Sequence, residues 1–483
     1  MQIVSCPSCG AEVKFRSHAS VMAVCEYCGT SVLKDADAVR DLGKMSAVLE
    51  DYSPIQIGTS GVLGGRSFTV VGRIQLRYSA GLWNEWYLLF DDGGTSWLGD
   101  SSGMYVITAE RQVEGSLPAF GELVPGRQYN VGAQQLVAAE VRTADCIGGQ
   151  GELPFKVGEG YQARVADFRR GGDFITLDYS DGERPVVYTG ISITLEAMQC
   201  QLLRDVDAIE RSAGRYRGKL SALDCPSCGS GIKYLPGMTA NLICPSCHAQ
   251  VDAASPKAQV LAAGERVEAV PTTLELGAQA KLNNQLFTVI GMMRRADDEG
   301  TQWTEYLLYG PRAGFSWLVE TDEGWSRANV MEVWPEMNSP DVVAVDKANF
   351  NKLYEYGSQV VYAIGAFNWK VAVGDRTWVA EFANGQIRLA AEMTREEMTW
   401  SRSSPVPFDQ MKAWFGASFR ATRPAAPPPA KGRYKRAARN SIFVMLAVNA
   451  IPLLANFGRS WALTLLGALA LYLPALFLDS YDS

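Results

Sequence analysis

The chain has 483 residues, which is too long for a single hydrophobic core and indicates several domains. Apolar residues make up 47% of it and charged residues 20%, a balance that excludes a largely disordered protein. Residues 1–409 hold 36 basic and 50 acidic residues, a net charge of −14, and this acidic body argues against nucleic acid as a partner.

Eight of the ten cysteines form two sets with one spacing. In each set, two C-x2-C pairs stand fifteen residues apart, and each pair forms a tight turn that can aim two thiolates at one ion. We therefore predict zinc ribbons at 1–34 and 222–251, each holding one structural zinc ion. The predicted ligands are Cys6, Cys9, Cys25 and Cys28 in the first ribbon, and Cys225, Cys228, Cys244 and Cys247 in the second.

Other states of these cysteines stay open at this point. Iron accepts the same four thiolates. Disulfides would need an oxidising compartment, and Met1–Gly10 shows no basic region followed by an apolar run of the kind that directs secretion. Four sulfurs leave no position for a reactive water, so a bound ion is expected to be structural and not catalytic. The two histidines, His18 and His248, lie in or beside these motifs, which leaves none for catalysis elsewhere.

The chain after the first ribbon alternates between linkers and β-rich stretches. Residues 195–213 place Leu202, Val206 and Ile209 at helical spacing, whereas the flanking regions hold many short runs of aromatic and β-branched residues. The predicted order begins with a helical linker at 35–50, a β-rich domain at 51–194 and a connecting helix at 195–221. After the second ribbon come a second helical linker at 252–270 and a second β-rich domain at 271–415. The expected fold class is mainly β, with a barrel or sandwich in each β-rich domain.

The two β-rich stretches are copies of one unit. The matching segments are FTVVG at 68–72 and FTVIG at 287–291, the W-x-E motif at 83–85 and 303–305, and the tripeptide SWL at 96–98 and 316–318. The offset is 219 residues, as for the cysteines, and becomes 220 after one inserted residue. An internal duplication that includes the ribbons explains this agreement.

Six residues of the repeat are candidates for a ligand site or a structural motif. They are Trp83, Glu85 and Trp97 in the first copy, and Trp303, Glu305 and Trp317 in the second. Alternation along a strand places Trp83, Glu85 and Tyr87 on one face. A glutamate beside a tryptophan is compatible with a ligand contact or a general base. It is also compatible with the solvent-exposed face of a half-buried sheet. No His, Lys or Cys accompanies it in the motif, which favours the structural alternative, and no catalytic residue is predicted.

The C-terminal segment changes in composition. Residues 416–440 form a linker rich in proline and basic residues, and two apolar runs within 441–478 predict a transmembrane helical hairpin. The positive-inside rule then predicts a two-helix protein of the bacterial inner membrane, with the body and the C-terminus in the cytoplasm. The predicted basic collar at the membrane surface, which would contact lipid, consists of Lys431, Arg433, Lys435, Arg436 and Arg439.

The C-P-x-C-G ribbon, the W-x-E and SWL motifs and the terminal apolar hairpin together resemble a bacterial family of membrane proteins. That family is built on a tandemly repeated domain of unknown function, and the resemblance covers nearly the whole chain. Its genes often lie near those of phage-shock-type membrane-remodelling proteins and polyamine-synthase-like enzymes. The resemblance therefore implies a role in envelope maintenance or stress, and it implies no particular activity.

The expected function is a non-enzymatic, membrane-anchored scaffold that faces the cytoplasm and recruits protein partners, with phage-shock-type proteins among the candidates. The alternative is an enzyme or a binding protein for polyamine-like small molecules that uses Glu85 and Glu305, for which the acidic body is an attractive surface. Nucleic-acid binding through the ribbons is disfavoured by their few basic residues.

Overall fold

The computed structural model describes most of the chain. The described residues are 2–17, 19–35, 38–44, 53–78, 81–101, 103–157, 160–205, 223–232, 241–252, 259–262, 271–282, 284–310, 313–367, 369, 371–421, 433–450 and 457–481. They divide into two compact units, Met1–Arg420 and Ala421–Ser483.

Short antiparallel hairpins form each cysteine-rich segment, as alternating apolar residues between turn-forming cysteine pairs predict. In the first segment the strands are β1 (Gln2–Ser5), β2 (Glu12–Phe15), β3 (Met22–Val24), β4 (Thr30–Asp35) and β5 (Ala38–Lys44). The second segment sits between two sets of barrel strands in the chain.

Ten strands form the first barrel domain. They are β6 (Ser60–Leu63), β7 (Arg66–Arg77), β8 (Leu82–Phe90), β9 (Thr95–Ser101), β10 (Met104–Glu110), β11 (Gln128–Val131), β12 (Gln134–Leu153), β13 (Gln162–Arg170), β14 (Asp173–Asp178) and β15 (Val186–Ile193). Eight of them pair in the ring β7-β8-β9-β10-β15-β14-β13-β12, and β12 pairs again with β7. The sheet therefore closes into an antiparallel eight-stranded barrel.

The second copy repeats this arrangement. Its cysteine-rich segment contains β16 (Leu223–Asp224), β17 (Gly231–Ile232), β18 (Asn241–Ile243), β19 (Gln250–Asp252) and β20 (Gln259–Ala262). Its barrel domain contains β21 (Gln279–Leu282), β22 (Gln285–Asp297), β23 (Gln302–Gly310), β24 (Gly314–Thr321), β25 (Gly324–Val330), β26 (Glu336–Ser339), β27 (Val342–Val345), β28 (Ala348–Phe367), β29 (Arg376–Asn384), β30 (Ile387–Met393) and β31 (Met398–Val406). The ring β22-β23-β24-β25-β31-β30-β29-β28 closes through β28 and β22. The predicted mainly β class and the duplication are confirmed.

The seam that closes each barrel depends on glycine. Gly72 of β7 faces Gly151 of β12, and Gly291 of β22 faces Gly365 of β28. Gly151 has φ +67° and Gly365 has φ +93°, values that disfavour any other residue. A Cβ atom at Gly151 would lie 2.2 Å from the Val71 carbonyl oxygen. The long strands can therefore bend and approach closely only because these positions carry no side chain.

The two barrels contact each other directly. The Arg142 guanidinium in β12 pairs with Glu140 at 2.9 Å and with Glu397, which follows β30 in the second barrel. The Val141 amide donates to the Glu396 carbonyl at 3.0 Å, and the same kind of bond joins two loops elsewhere along this interface. The two barrels thus meet through main-chain hydrogen bonds as well as charged pairs.

Three α-helices occur among the described residues: α1 (Phe408–Phe415), α2 (Arg433–Val448) and α3 (Phe457–Tyr481). Helix α1 follows the last barrel strand and buries Met411 and Phe415. Helices α2 and α3 form a hairpin in the second unit, where the Met445 sulfur lies against Gly467.

The predicted linkers and connecting helix are wrong where the structure describes them. Residues 38–44 and 259–262 are the strands β5 and β20, because each adds a hydrogen-bonded edge to its ribbon hairpin. Residues 195–205 form turns, with left-handed φ at Gln199 and Leu202, and Met198 is buried in the core of the first barrel. Packing of this segment onto the barrel overrides its helical spacing. Residues 36–37, 45–50, 206–221, 253–258 and 263–270 lie outside the described residues.

The prediction of a two-helix inner-membrane protein is also wrong. Among the residues that the structure describes, no helix is both long enough and apolar enough to cross a membrane. Helix α2 has 16 residues and begins in the basic segment, so only part of it is apolar. Residues 422–432 of the predicted proline-rich and basic linker lie outside the described residues.

Candidate metal centres and barrel lumens

The four cysteines of the first ribbon converge on one point. Cys6 and Cys9 lie in the turn between β1 and β2, and Cys25 and Cys28 lie in the turn between β3 and β4. Their four Sγ atoms lie within 4.8 Å of one another. The Sγ–Sγ distance is 3.7 Å for Cys6 and Cys28 and also 3.7 Å for Cys9 and Cys25.

The second ribbon repeats this cluster. Its sulfurs also lie within 4.8 Å of one another, with 3.6 Å between Cys225 and Cys247 and 3.8 Å between Cys228 and Cys244. All eight cysteines are free thiols in the structure. The sequence prediction therefore placed both sets of four side chains correctly.

The sulfur spacing fits a bound ion and not a disulfide. A tetrahedral ion with metal–sulfur bonds of about 2.3 Å separates its sulfurs by about 3.8 Å, whereas a disulfide joins two sulfurs at about 2.05 Å. The observed separations of 3.6 to 3.8 Å agree with the first arrangement. The two clusters can therefore hold two metal ions, and the same donors suit zinc or iron.

The same turn geometry recurs at all four cysteine pairs. The residue after each pair has left-handed φ: Gly10 at 80°, Gly29 at 71°, Gly229 at 75° and His248 at 56°. Its amide donates to the carbonyl of the first cysteine in the pair at 2.8 to 2.9 Å. This bond closes the turn that aims both sulfurs inward, and glycine favours it because it has no Cβ.

One thiol in each cluster has a lowered pKa, which favours binding of a cation. The hydroxyl and amide of Thr30 lower the pKa of Cys28 to about 6, and those of Ser230 lower the pKa of Cys228 to about 6. Each thiol therefore loses its proton near neutral pH. The thiolate is the form that binds metal.

Each ribbon is attached to its own barrel by a shared strand edge. Strand β3 pairs with the end of β12, and β18 pairs with the end of β28. In the first copy a buried carboxylate adds to this attachment: Glu152 accepts from the amides of Arg16 and Ser17 at 2.7 and 3.0 Å and from the Ser20 hydroxyl at 3.0 Å. The equivalent position of β28 is Ala366, so the second ribbon lacks this contact.

Side chains from opposite walls meet inside each barrel. We call these interiors the first lumen and the second lumen. The first is lined by Leu76, Trp83, Glu85, Trp97, Cys146, Tyr161, Asp167, Asp178 and Tyr188. The second is lined by Arg295, Trp303, Glu305, Trp317, Tyr356, Ser358, Glu381 and Glu392.

An arginine occupies the centre of the second lumen. The Arg295 Nη1 atom lies 2.8 Å from Glu392 and 3.4 Å from Glu305, and its Nη2 atom donates to the Ser358 hydroxyl at 2.5 Å. The Trp303 indole N–H donates to Glu305 at 2.6 Å. Burial raises the pKa of Glu305 and Arg295 opposes that shift. The group is an internal ion triad that spans the barrel.

The first lumen has the same tryptophan–glutamate pair. The Trp83 indole N–H donates to Glu85 at 3.1 Å. Burial raises the pKa of Glu85 to about 7; the indole opposes that shift, whereas Asp178 and Asp167 add to it. Leu76 stands where the second copy has Arg295, because both pair with the tryptophan of the motif.

The other two predicted tryptophans pack against aromatic rings. The Trp97 ring is 4.9 Å from Tyr87, and the Trp317 ring is 5.3 Å from Trp369, so both belong to aromatic clusters in the lumen walls. In the basic collar, Arg433, Lys435 and Arg436 lie in α2 and Arg439 is exposed on it, whereas Lys431 lies outside the described residues.

Sequence reasoning missed Glu152, Arg295, Asp178 and Glu392. Asp178 and Glu392 had a usable signal, because they occupy equivalent places at the ends of β14 and β30 with an offset of 214 residues. Arg295 and Glu152 had none, because each differs from its counterpart in the other copy and finds its partners only across the fold.

Both barrels match a family model described as Domain of unknown function (DUF4178), at residues 56–195 and 275–408. The two matches together cover more than half of the chain and leave out both cysteine-rich segments. No curated protein and no solved structure matches. The predicted tandem repeat of a domain of unknown function is confirmed.

Proposed function

We propose that this chain, which belongs to the DUF4178 family through both of its barrels, is a non-enzymatic scaffold whose two ribbons are held by structural zinc ions. The observation that carries the proposal is the pair of four-sulfur clusters, each in a ribbon that adds a strand to its barrel. A site closed by four protein sulfurs leaves no open coordination position for substrate or water. The ion would therefore fix structure and supply no chemistry.

The ribbons depend on the ion because they are small. Each has only short strands, and much of its core consists of cysteine: Cys6 and Cys25 are buried with Val13 and Phe15 in the first ribbon. Segments of this size do not bury enough apolar surface to fold unaided. Four thiolates around one zinc ion supply the missing stability.

The scaffold role is supported by the rigid connection between the two halves. The barrels meet through Arg142, Glu140 and Glu397 and through main-chain bonds, so both ribbons belong to one compact unit. Such a platform presents two similar surfaces at fixed separation. A protein partner with two equivalent contacts would suit it, and the family resemblance makes phage-shock-type proteins the first to test.

Metal content tests the structural part of this proposal. Purified full-length protein is expected to carry two zinc ions per chain by elemental analysis. Cys9→Ser and Cys228→Ser change the exposed cysteine of each cluster, and each is expected to leave one zinc ion per chain. Cys200→Ser, outside both clusters, is the control and is expected to keep two. Iron in place of zinc, or disulfides among these cysteines, would refute the proposal.

Partner capture tests the scaffold part. Zinc-loaded full chain is expected to retain a protein partner in fixed stoichiometry. The variant Arg142→Ala, which removes the charge between the barrels while leaving all eight thiols, is expected to retain less. Recovery of the bait alone, with both zinc ions in place, would count against a scaffold and leave the metal sites standing.

The alternative function is catalysis or small-molecule binding by Glu85 and Glu305. The contacts that these two side chains make inside the lumens bear on it. Glu305 is engaged with Arg295 and Trp303, which leaves little room for a ligand. Glu85 has the indole of Trp83 as its described hydrogen-bond donor. Glu85→Gln with Glu305→Gln is expected to leave partner capture unchanged under the scaffold proposal, whereas loss of capture with an intact fold would favour the alternative.

A further inference from the structure

The two lumens share three acidic positions. Strand register makes the following pairs equivalent: Glu85 with Glu305, Asp178 with Glu392, and Asp167 with Glu381. In each barrel the first two project from strands on opposite walls, because four pairings separate β8 from β14 and β23 from β30 in either direction around the ring. The duplication has thus kept a carboxylate pair that faces across the interior.

The second copy shows what such a pair holds. There the planar guanidinium of Arg295 lies between Glu305 and Glu392, and the Trp303 ring lies 5.8 Å from it. A guanidinium among carboxylates and an aromatic face forms charge-assisted hydrogen bonds and a cation–π contact. The lumen of this fold is therefore suited to an organic cation, and the second copy supplies that cation from its own β22.

The first copy does not supply it. Leu76 replaces Arg295. Arg142, whose charge also acts on Asp167, pairs with Glu140 and with Glu397 of the second barrel and stacks 4.2 Å from Tyr78. Among the described residues, no ion pair joins a cation to Glu85, and none joins one to Asp178, whose Oδ1 atom accepts from the amide and the hydroxyl of Ser180.

We propose that the first lumen binds an organic cation, an alkylguanidinium or a primary alkylammonium group, at the place that Arg295 fills in the second lumen. Glu85 and Asp178 would contact its charge. The rings of Trp83 and Tyr161 would contact its carbon atoms and its face, which distinguishes it from a divalent metal ion that prefers a shell of oxygen atoms.

Two further observations support the site. Glu85 as a residue is partly buried, and its carboxylate accepts a hydrogen bond from the Trp83 indole N–H at 3.1 Å among the lumen residues. Burial, with Asp178 and Asp167, holds the pKa of Glu85 near 7, and a cation bound there would lower it because it favours the ionised form. The site involves no residue of either ribbon and is independent of the scaffold role.

Reciprocal substitutions between the two copies test the site. The probes are ethylguanidinium chloride and n-butylammonium chloride, titrated by calorimetry and by tryptophan fluorescence into zinc-loaded full chain at pH ~8, where Glu85 is ionised. Wild-type protein is expected to bind one equivalent of probe. Leu76→Arg, which supplies the guanidinium internally, is expected to abolish that binding. Arg295→Leu, which removes the cation from the second lumen, is expected to bind two equivalents.

Glu85→Gln keeps the oxygen that accepts from Trp83 and removes only the charge. It is expected to weaken probe binding about tenfold or more, the factor that a charge-assisted hydrogen bond contributes. This variant also tests binding in the first lumen if Leu76→Arg fails to fold. Absence of saturable binding at millimolar probe, equal affinity in wild type and Glu85→Gln, or saturation by magnesium chloride in place of the organic cations would each overturn the proposal.

Discussion

The two halves of this chain have the same backbone and different chemistry. Both barrels close at a glycine seam, and both ribbons present four thiols. The first copy uses Glu152 to hold its ribbon and has Leu76 in its lumen, whereas the second has Ala366 and Arg295 at those places. Closing the barrel therefore requires glycine at a few positions, while side chains that neither close the sheet nor bind metal have diverged.

The largest effect is expected at the seam, where the two copies are alike. Gly151→Ala and Gly365→Ala would place a Cβ atom 2.2 and 2.5 Å from a carbonyl oxygen at left-handed φ. Each is expected to lower the free energy of unfolding of its barrel by about 3–4 kcal/mol, from backbone strain and overpacking together. Chemical denaturation measures this. Gly385→Ala, at φ +58° in an open turn, is the control at about 1 kcal/mol.

A smaller effect is expected where the copies differ in the lumen. Arg295→Leu leaves Glu305 and Glu392 facing each other without a cation, and it is expected to lower the free energy of unfolding by about 3 kcal/mol at neutral pH. The loss is expected to shrink in acid, as the carboxylates become protonated. Arg66→Leu, which removes an exposed pair with Asp92, serves as control and is expected to change little. Equal destabilisation by both would contradict the role of the triad.

The attachment of the ribbons offers the next test. Glu152→Ala leaves the amides of Arg16 and Ser17 without an acceptor and is expected to cost about 2 kcal/mol. The first ribbon is then expected to release its metal to a chelator faster, while the second, which has no such carboxylate, is unaffected. Glu183→Ala, at an exposed pair, is the control. Faster metal release from both ribbons, or from neither, would show that Glu152 does not account for a difference between the two ribbons.

The smallest effect concerns pH and the first lumen. The pKa of Glu85 is about 7 in the folded protein against 4.5 for an ordinary glutamate, so the folded state holds this proton more tightly. The contribution is therefore favourable below pH 4.5 and is lost as pH rises through 7. Glu85→Gln is expected to remove that slope and to stabilise the protein by about 1–2 kcal/mol at pH ~8, allowing for partial solvent screening. An unchanged pH profile of thermal unfolding would argue against a raised pKa.

The predictions that the structure confirms were based on local sequence patterns. Two C-x2-C turns determine where their sulfurs point within a few residues, so the clusters at Cys6 and Cys225 could be placed from spacing alone. Alternation placed Trp83 and Glu85 on one face of β8, and the structure joins them by a hydrogen bond. Helical spacing at 195–205 misled, because burial of Met198 against the first barrel outweighs a weak local preference.

The duplication, the β class and the two four-thiol clusters follow from the sequence alone, because each depends on spacings shorter than a ribbon or on a pattern repeated along the chain. Three features are visible only in the folded structure: β7 closes against β12, Arg295 reaches Glu392 from another wall, and Leu76 leaves Glu85 without such a cation. The physical reason is distance along the chain. Contacts across a barrel join strands tens of residues apart, and no local periodicity records which side chains will meet there.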